Sequence, residues 1–280
     1  MDGLFFHDFV RNALLASIIM GSVLAFLGVH VVERGIVFVD LALGQISMMG
    51  VAFAAYIEVD PTSVSIVFTL VGAFVLSLVK VRDVRLKQEA IIGIVYALTS
   101  AVTVLLISKS AHGESDISEV LFGSFFTVSD TGLVWLGIVF FAIALLHIVF
   151  RNKFFQLTEK FASEDVSDIG FFNVWNFLFY VSLGLAIVLG VRFAGVIPVF
   201  AFIVAPPVAA ILMTRRQSLV IWLSVAVSVL GSFLGIYFSV QFDFPAGSSV
   251  VAMLGGLFLL ASVARLFSSR PADSLPSESL

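Results

Sequence analysis

An all-helical, polytopic membrane fold is what this sequence predicts, on three observations. The first is composition. Of 280 residues, 60% are hydrophobic and only 12% charged, against about 25% charged in a soluble domain. The second is length: about nine apolar runs reach the roughly 20 residues that a spanning helix needs. The third is the placement of charge, which gathers in the connections between the runs.

The runs follow one another with short links. The first, near 11–32, comes after "MDGLFFHDFVRN". That start carries acids and no basic n-region, unlike a signal peptide, so the first helix is expected to be retained. The second, 35–57, holds Asp40 and Gln45 within an otherwise apolar stretch. The third and fourth lie near 62–79 and 90–109, separated by Lys80, Arg82, Arg85 and Lys87. An acidic connection, 110–130, with His112, Glu114, Asp116 and Glu119, precedes the fifth run at 131–150. It reads as a solvated loop, or as an acidic mouth that concentrates cations. The charged segment 151–169 separates the fifth run from the sixth at 170–191. The seventh, 194–213, contains Pro198, Pro206 and Pro207. The eighth and ninth lie near 218–240 and 246–267, and the Ser/Pro-rich tail 268–280 reads as a disordered appendage to a single transmembrane domain, 1–267.

Basic residues sort these connections. Arg34, Lys80, Arg82, Arg85, Lys87, Arg151, Lys153, Lys160, Arg215, Arg216, Arg265 and Arg270 fall on one side, 12 of the 15 in the chain. Such an excess marks the cytoplasmic face. It predicts an outer N-terminus and an inner C-terminus.

Several chemistries are excluded. There is no cysteine, hence no disulfide, thiolate metal site or thiol nucleophile. No GxxxxGK[ST], HExxH or GxSxG pattern occurs, so the chain carries neither a P-loop nor a familiar hydrolase constellation. Nothing suits nucleic acid. His7, His30, His112 and His147 are scattered, with no pair at ligand spacing, and His147 reads as an interfacial residue near a span end.

The residues that could carry function are few. An acid inside a span costs about 2.5–3.5 kcal/mol on insertion scales and faces a bundle interior or an aqueous path. Gly44 and Ser47 share the helical face of Asp40. That stripe suits either a cation path or helix packing. Pro206 and Pro207 deprive the carbonyls of 202 and 203 of donors. They imply a kink satisfied by neighbouring helices or a broken helix lining a pathway. In "SEDVSDIG", Ser163 with Glu164 and Asp165 has the pattern of a helix start, suited to a short helix on the cytoplasmic face. On the residues alone, Asp40 equally suits an ion relay in an ATP-independent transporter or channel for a cation or small solute.

Taken in order, "ERGIVFVDLALGQISMMG" (33–50), "EAIIGIVYALTSA" (89–101), "LFGSFFTVS" (121–129), "GVIPVFAFIVAPPVAA" (195–210) and "FPAGSSVVAMLGG" (244–256) resemble the membrane permease subunit of bacterial ABC importers for zinc, manganese or iron. The likeness runs over roughly 11–267. It implies a type II ABC importer permease in the bacterial cytoplasmic membrane, working as a homodimer. Two ATPase subunits would dock inside and an extracytoplasmic binding protein would deliver a divalent metal outside. The chain itself would bind no cofactor and hydrolyse no ATP. The resemblance also casts Glu164, Asp165 and Gly170 as the coupling contact with the ATPase. Its second-helix motif pairs an Asp with a His four residues on. Here Gln45 stands five residues after Asp40. A π-bulge would absorb one extra residue and bring Asp40 and Gln45 into line as metal contacts, and that is the expectation for this helix.

Overall fold

The computed structural model describes residues 8–79, 86–108, 125–163, 170 and 172–267. Among them lie ten α-helices: α1 Asp8–Glu33, α2 Val39–Ile57, α3 Pro61–Leu78, α4 Gln88–Ile107, α5 Asp130–Val149, α6 Arg151–Ala162, α7 Val174–Ala194, α8 Val196–Met213, α9 Gln217–Phe242 and α10 Ala246–Phe267. A 3₁₀ turn, Phe125–Thr127, precedes α5. All but α6 are long and apolar enough to cross a bilayer. These nine correspond to the nine expected runs, with ends within a few residues. The chain is a multi-pass membrane protein. The expected tail, 268–280, and His112, Glu114, Asp116 and Glu119 of the acidic connection lie outside the described residues.

Local signals set the helix ends. Asp60 caps α3 by accepting from the Ser63 N–H at 2.8 Å, with Pro61 at the first helical position, where a missing N–H costs nothing. Ser129 caps α5 through Gly132 N–H, and Asn173 caps α7 through Asn176 N–H. At the end of α1, Gly35 takes φ +63°. Ile36 N–H then bonds Val31 O at 3.2 Å and Gly35 N–H bonds Val32 O at 3.1 Å. This paired arrangement closes a helix with a left-handed residue that glycine adopts without a Cβ penalty.

Packing is uneven. In α1, 67% of the most apolar stretch is buried, against 17% in α4 and α10. Helix α1 therefore forms the centre, packed against α5, α8 and α9, while α2 packs against α3, α4 and α7. The exposed faces of α4, α5 and α10 carry large apolar side chains such as Leu105, Phe141 and Leu260, which is normal where the solvent is lipid.

Helix α6 differs from the rest. It buries Phe154, Leu157, Thr158 and Phe161 and exposes Arg151, Asn152, Lys153, Glu159 and Lys160. The i, i+3, i+4, i+7 spacing gives one apolar stripe on a charged helix. It docks on α1, α5 and α7 at the end of the bundle where the basic connections gather. The helix precedes the acidic stretch rather than starting with it. Ser163 is the C-cap, its hydroxyl donating to Glu159 O at 2.9 Å. The stripe from 154 to 161 carries this helix, and the residues of the helix start expected after Ser163, beginning with Glu164 and Asp165, lie outside the described residues.

Candidate functional site

Asp40 lies in the first turn of α2, two residues past the cap Phe38. It is 3% exposed, and its Oδ1 has no hydrogen-bond partner among the described residues. The sequence reading put this acid inside a longer span. The Gly35 turn ends α1 late and starts α2 at Val39, so the carboxylate sits at the helix N-terminus, where the helix dipole favours negative charge. Gly44 and Ser47 are buried on the same face. A Cβ on Gly44 would meet Val196 Cγ1 of α8 at 3.9 Å, an ordinary contact, so this stripe packs towards the start of α8.

Gln45 does not join it. Helix α2 is regular α-helix from 39 to 57, and the expected π-bulge is absent. At 3.6 residues per turn Gln45 points about 140° away from Asp40, and it is half-buried. The two are therefore not brought onto one face.

Pro206 and Pro207 are buried within α8, which continues unbroken from 196 to 213. The broken-helix alternative is not what forms. The Ile203 carbonyl, left without the donor that Pro207 lacks, faces Gly28 of α1. A Cβ there would collide with that oxygen. Glycine thus allows the close approach that covers the carbonyl.

At the basic end the fold assembles a polar cluster that the sequence reading missed. His30, Arg34, His147, Thr158 and Asn176 are all buried. Arg34 donates from Nε to Thr158 Oγ1 at 3.0 Å and from Nη1 to Asn176 Oδ1 at 3.1 Å. Asn176 in turn donates to Ser77 O of α3 at 2.8 Å. The His30 and His147 rings lie 6.3 Å apart, and His147 stacks on Phe154 at 4.1 Å. His147 is thus a core residue rather than an interfacial one, its Nδ1 donating to Ile143 O at 3.0 Å. The available signal was the i, i+4 pair His30 and Arg34 at the end of an apolar helix. Gly170 is exposed at this same end, while Glu164 and Asp165 lie outside the described residues. Among the described residues no group of three or more His, Asp or Glu side chains could enclose a metal ion.

Comparison with known proteins agrees with the fold. The model of the ABC 3 transport family matches residues 6–265. The chain is 26% identical over 261 residues to the manganese transport system membrane protein MntC of Halalkalibacterium halodurans, covering 93% of this chain and 88% of that protein. It is 26% identical to a probable iron transport system membrane protein of Haemophilus influenzae, covering 91% and 93%. Among solved structures, PsaBC from Streptococcus pneumoniae in complex with Fab superposes with a TM-score of 0.76 at 27% identity, covering 93% of each chain.

Proposed function

The chain belongs to the ABC 3 transport family, and on that premise we propose that it is the membrane-spanning permease subunit of an ATP-driven importer of a divalent transition metal: manganese, iron or zinc. The observation that carries this reading is the match of the whole nine-span bundle, 6–265, to that family. ATP is hydrolysed on a separate subunit. Two such ATPases dock on the basic face, an extracytoplasmic metal-binding protein docks on the other, and two copies of this chain enclose the pathway. The 12 basic residues on one side support an outer N-terminus and an inner C-terminus in the bacterial cytoplasmic membrane.

Helix α6 and the segment after it, with Glu164, Asp165 and Gly170, form the contact with the ATPase. The exposed charged face of α6 at the basic end supports this role. Nucleotide-driven closure of the ATPases shifts this contact and rocks the dimer between outward- and inward-open states. Asp40, with Gly44 and Ser47 beside it, provides the charge along the metal's path, and its unpartnered oxygen supports that role. Gln45 offers a neutral oxygen from a separate face. Carboxylate and amide oxygens suit manganese or iron better than zinc.

The test is metal accumulation, read by elemental mass spectrometry, in cells expressing the chain with its ATPase and binding protein. With wild type one metal rises; with Asp40→Ala it falls to background while the complex still assembles. Accumulation that persists with a hydrolysis-dead ATPase would instead indicate a secondary transporter. Loss of Asp40→Ala protein from the membrane would make Asp40 structural.

A further inference from the structure

Arg34 was counted among the loop cations, yet it is only 6% exposed. Among the described residues no carboxylate lies within ion-pair distance of it. A buried charge without a counter-ion costs several kcal/mol unless other groups solvate it. Here two helices supply the partners, a third stands behind them, and Nη2 alone is left without one among the described residues. Thr158 belongs to α6, Asn176 to α7, and the Asn176 amide extends the chain to Ser77 O at the end of α3. The guanidinium carbon also lies 3.8 Å from the centre of the Phe179 ring and 5.3 Å from that of Phe161, a cation–π arrangement suited to a desolvated site.

Arginine only donates, so the Thr158 oxygen accepts from Nε, and the same hydroxyl shares a second hydrogen bond with His30 Nδ1, 2.9 Å away. Thr158 is thus held from two points on the last turn of α1, four residues apart. Arg34 is followed at once by the Gly35 turn, and α2 begins at Val39 with Asp40 next. The only chain between the clamp and the carboxylate is this short, hydrogen-bonded turn.

We propose that Arg34 is a positioning residue that locks α6 to the α1–α2 turn, so that displacement of α6 is carried to Asp40. This rests on the reading of α6 as part of the ATPase contact. The clamp passes motion in either direction, because Thr158 and Asn176 tie the same guanidinium to the moving cytoplasmic helix and to the bundle. Lysine at 34 would keep the charge and lose the function, since one ammonium does not reproduce a planar fork that reaches two side chains at once.

Thr158→Val is the sharpest test, because it keeps shape and removes only the hydroxyl. The complete complex, reconstituted in nanodiscs, is assayed for metal imported per ATP hydrolysed. Loss of one charge-assisted hydrogen bond predicts a drop in that ratio of about tenfold, with ATP hydrolysis retained. Arg34→Lys shows the same drop. The chain has no cysteine, so a pair of spin labels can be placed uniquely through Phe38→Cys and Glu159→Cys, both at exposed positions. In the otherwise wild-type complex their separation stays constant between nucleotide-free and ATP-trapped states. With Thr158→Val it broadens and changes. An unaltered import ratio together with labels that still move as one body would overturn the proposal. Absence of ATP-dependent import by the wild-type complex would overturn the functional reading instead, and the clamp would fall with it.

Discussion

Arg34 and Asp40 lie six residues apart, are both buried, and are held differently. The cation is met by Thr158, Asn176 and Phe179, drawn from two other helices. Its Nη2 has no partner among the described residues, and the anion likewise keeps an oxygen without one. The difference lies in the ties: two nitrogens of the arginine are bonded to side chains of other helices, whereas no side chain of another helix is bonded to Asp40 among the described residues. On the proposed reading, a group that exchanges partners with a passing cation keeps unmet capacity, at the end of a helix whose dipole helps to hold its charge.

The largest expected effect sets the two charges against each other in stability. Arg34→Met leaves Asn176 Oδ1 without its donor in a buried site and removes the ring contact, so we expect a loss of about 2–4 kcal/mol. Asp40→Asn removes a buried charge that has no counter-ion, so it leaves stability unchanged or raises it. Thermal unfolding of the two variants in one detergent checks the order. A lower midpoint for Asp40→Asn than for Arg34→Met would break the comparison, since Asp40 would then be a structural acid.

A smaller effect concerns the other unmet group, the Ile203 carbonyl. Gly28→Ala places a methyl against that oxygen and against the Pro207 ring. The contact is backbone, so α1 and α8 have to separate, at about 1–3 kcal/mol. We expect a lowered midpoint and normal membrane insertion. Proline replacement then sharpens the result: Pro207→Ala restores a backbone donor for Ile203 O and partly recovers the Gly28→Ala loss. No recovery would mean that steric contact alone, rather than the orphaned carbonyl, sets the cost.

The nine spans were legible because a bilayer demands long apolar runs, and their ends fell within a few residues of the helices. The site was legible only in part. Asp40 stood out as an acid in an apolar stretch, but its depth was misjudged. The turn at 35–38, "GIVF", is apolar apart from its glycine and reads as more span. The one-residue offset to Gln45 suggested a bulge inside α2, whereas the helix is regular there and leaves the two side chains on separate faces. The His30–His147 contact and the Arg34 bonds join residues more than 100 positions apart, and no local pattern announces them. Helix α6 was legible in principle, since 154, 157, 158 and 161 repeat at helical spacing. The acids after Ser163 pointed instead to a helix that starts there.

The smallest effect uses a second acid at a helix start. Asp60, at the opposite end of the bundle, is exposed and accepts from Ser63 N–H. Hydrogen bonding from the Ser63 hydroxyl, and then from its N–H, holds this carboxyl below the usual carboxylate range. A depressed folded-state value adds stability above the ordinary Asp range, and that contribution is lost as pH falls through the folded-state value. The unfolding midpoint of wild type should therefore fall slightly further on acidification than that of Asp60→Asn, which keeps a capping oxygen without a titrating proton. Equal acid shifts in the two proteins would show that the cap carries no charge contribution. The contrast with Asp40 would then rest on burial alone, the same residue type at the same end of a helix being solvated in one place and shut away in the other.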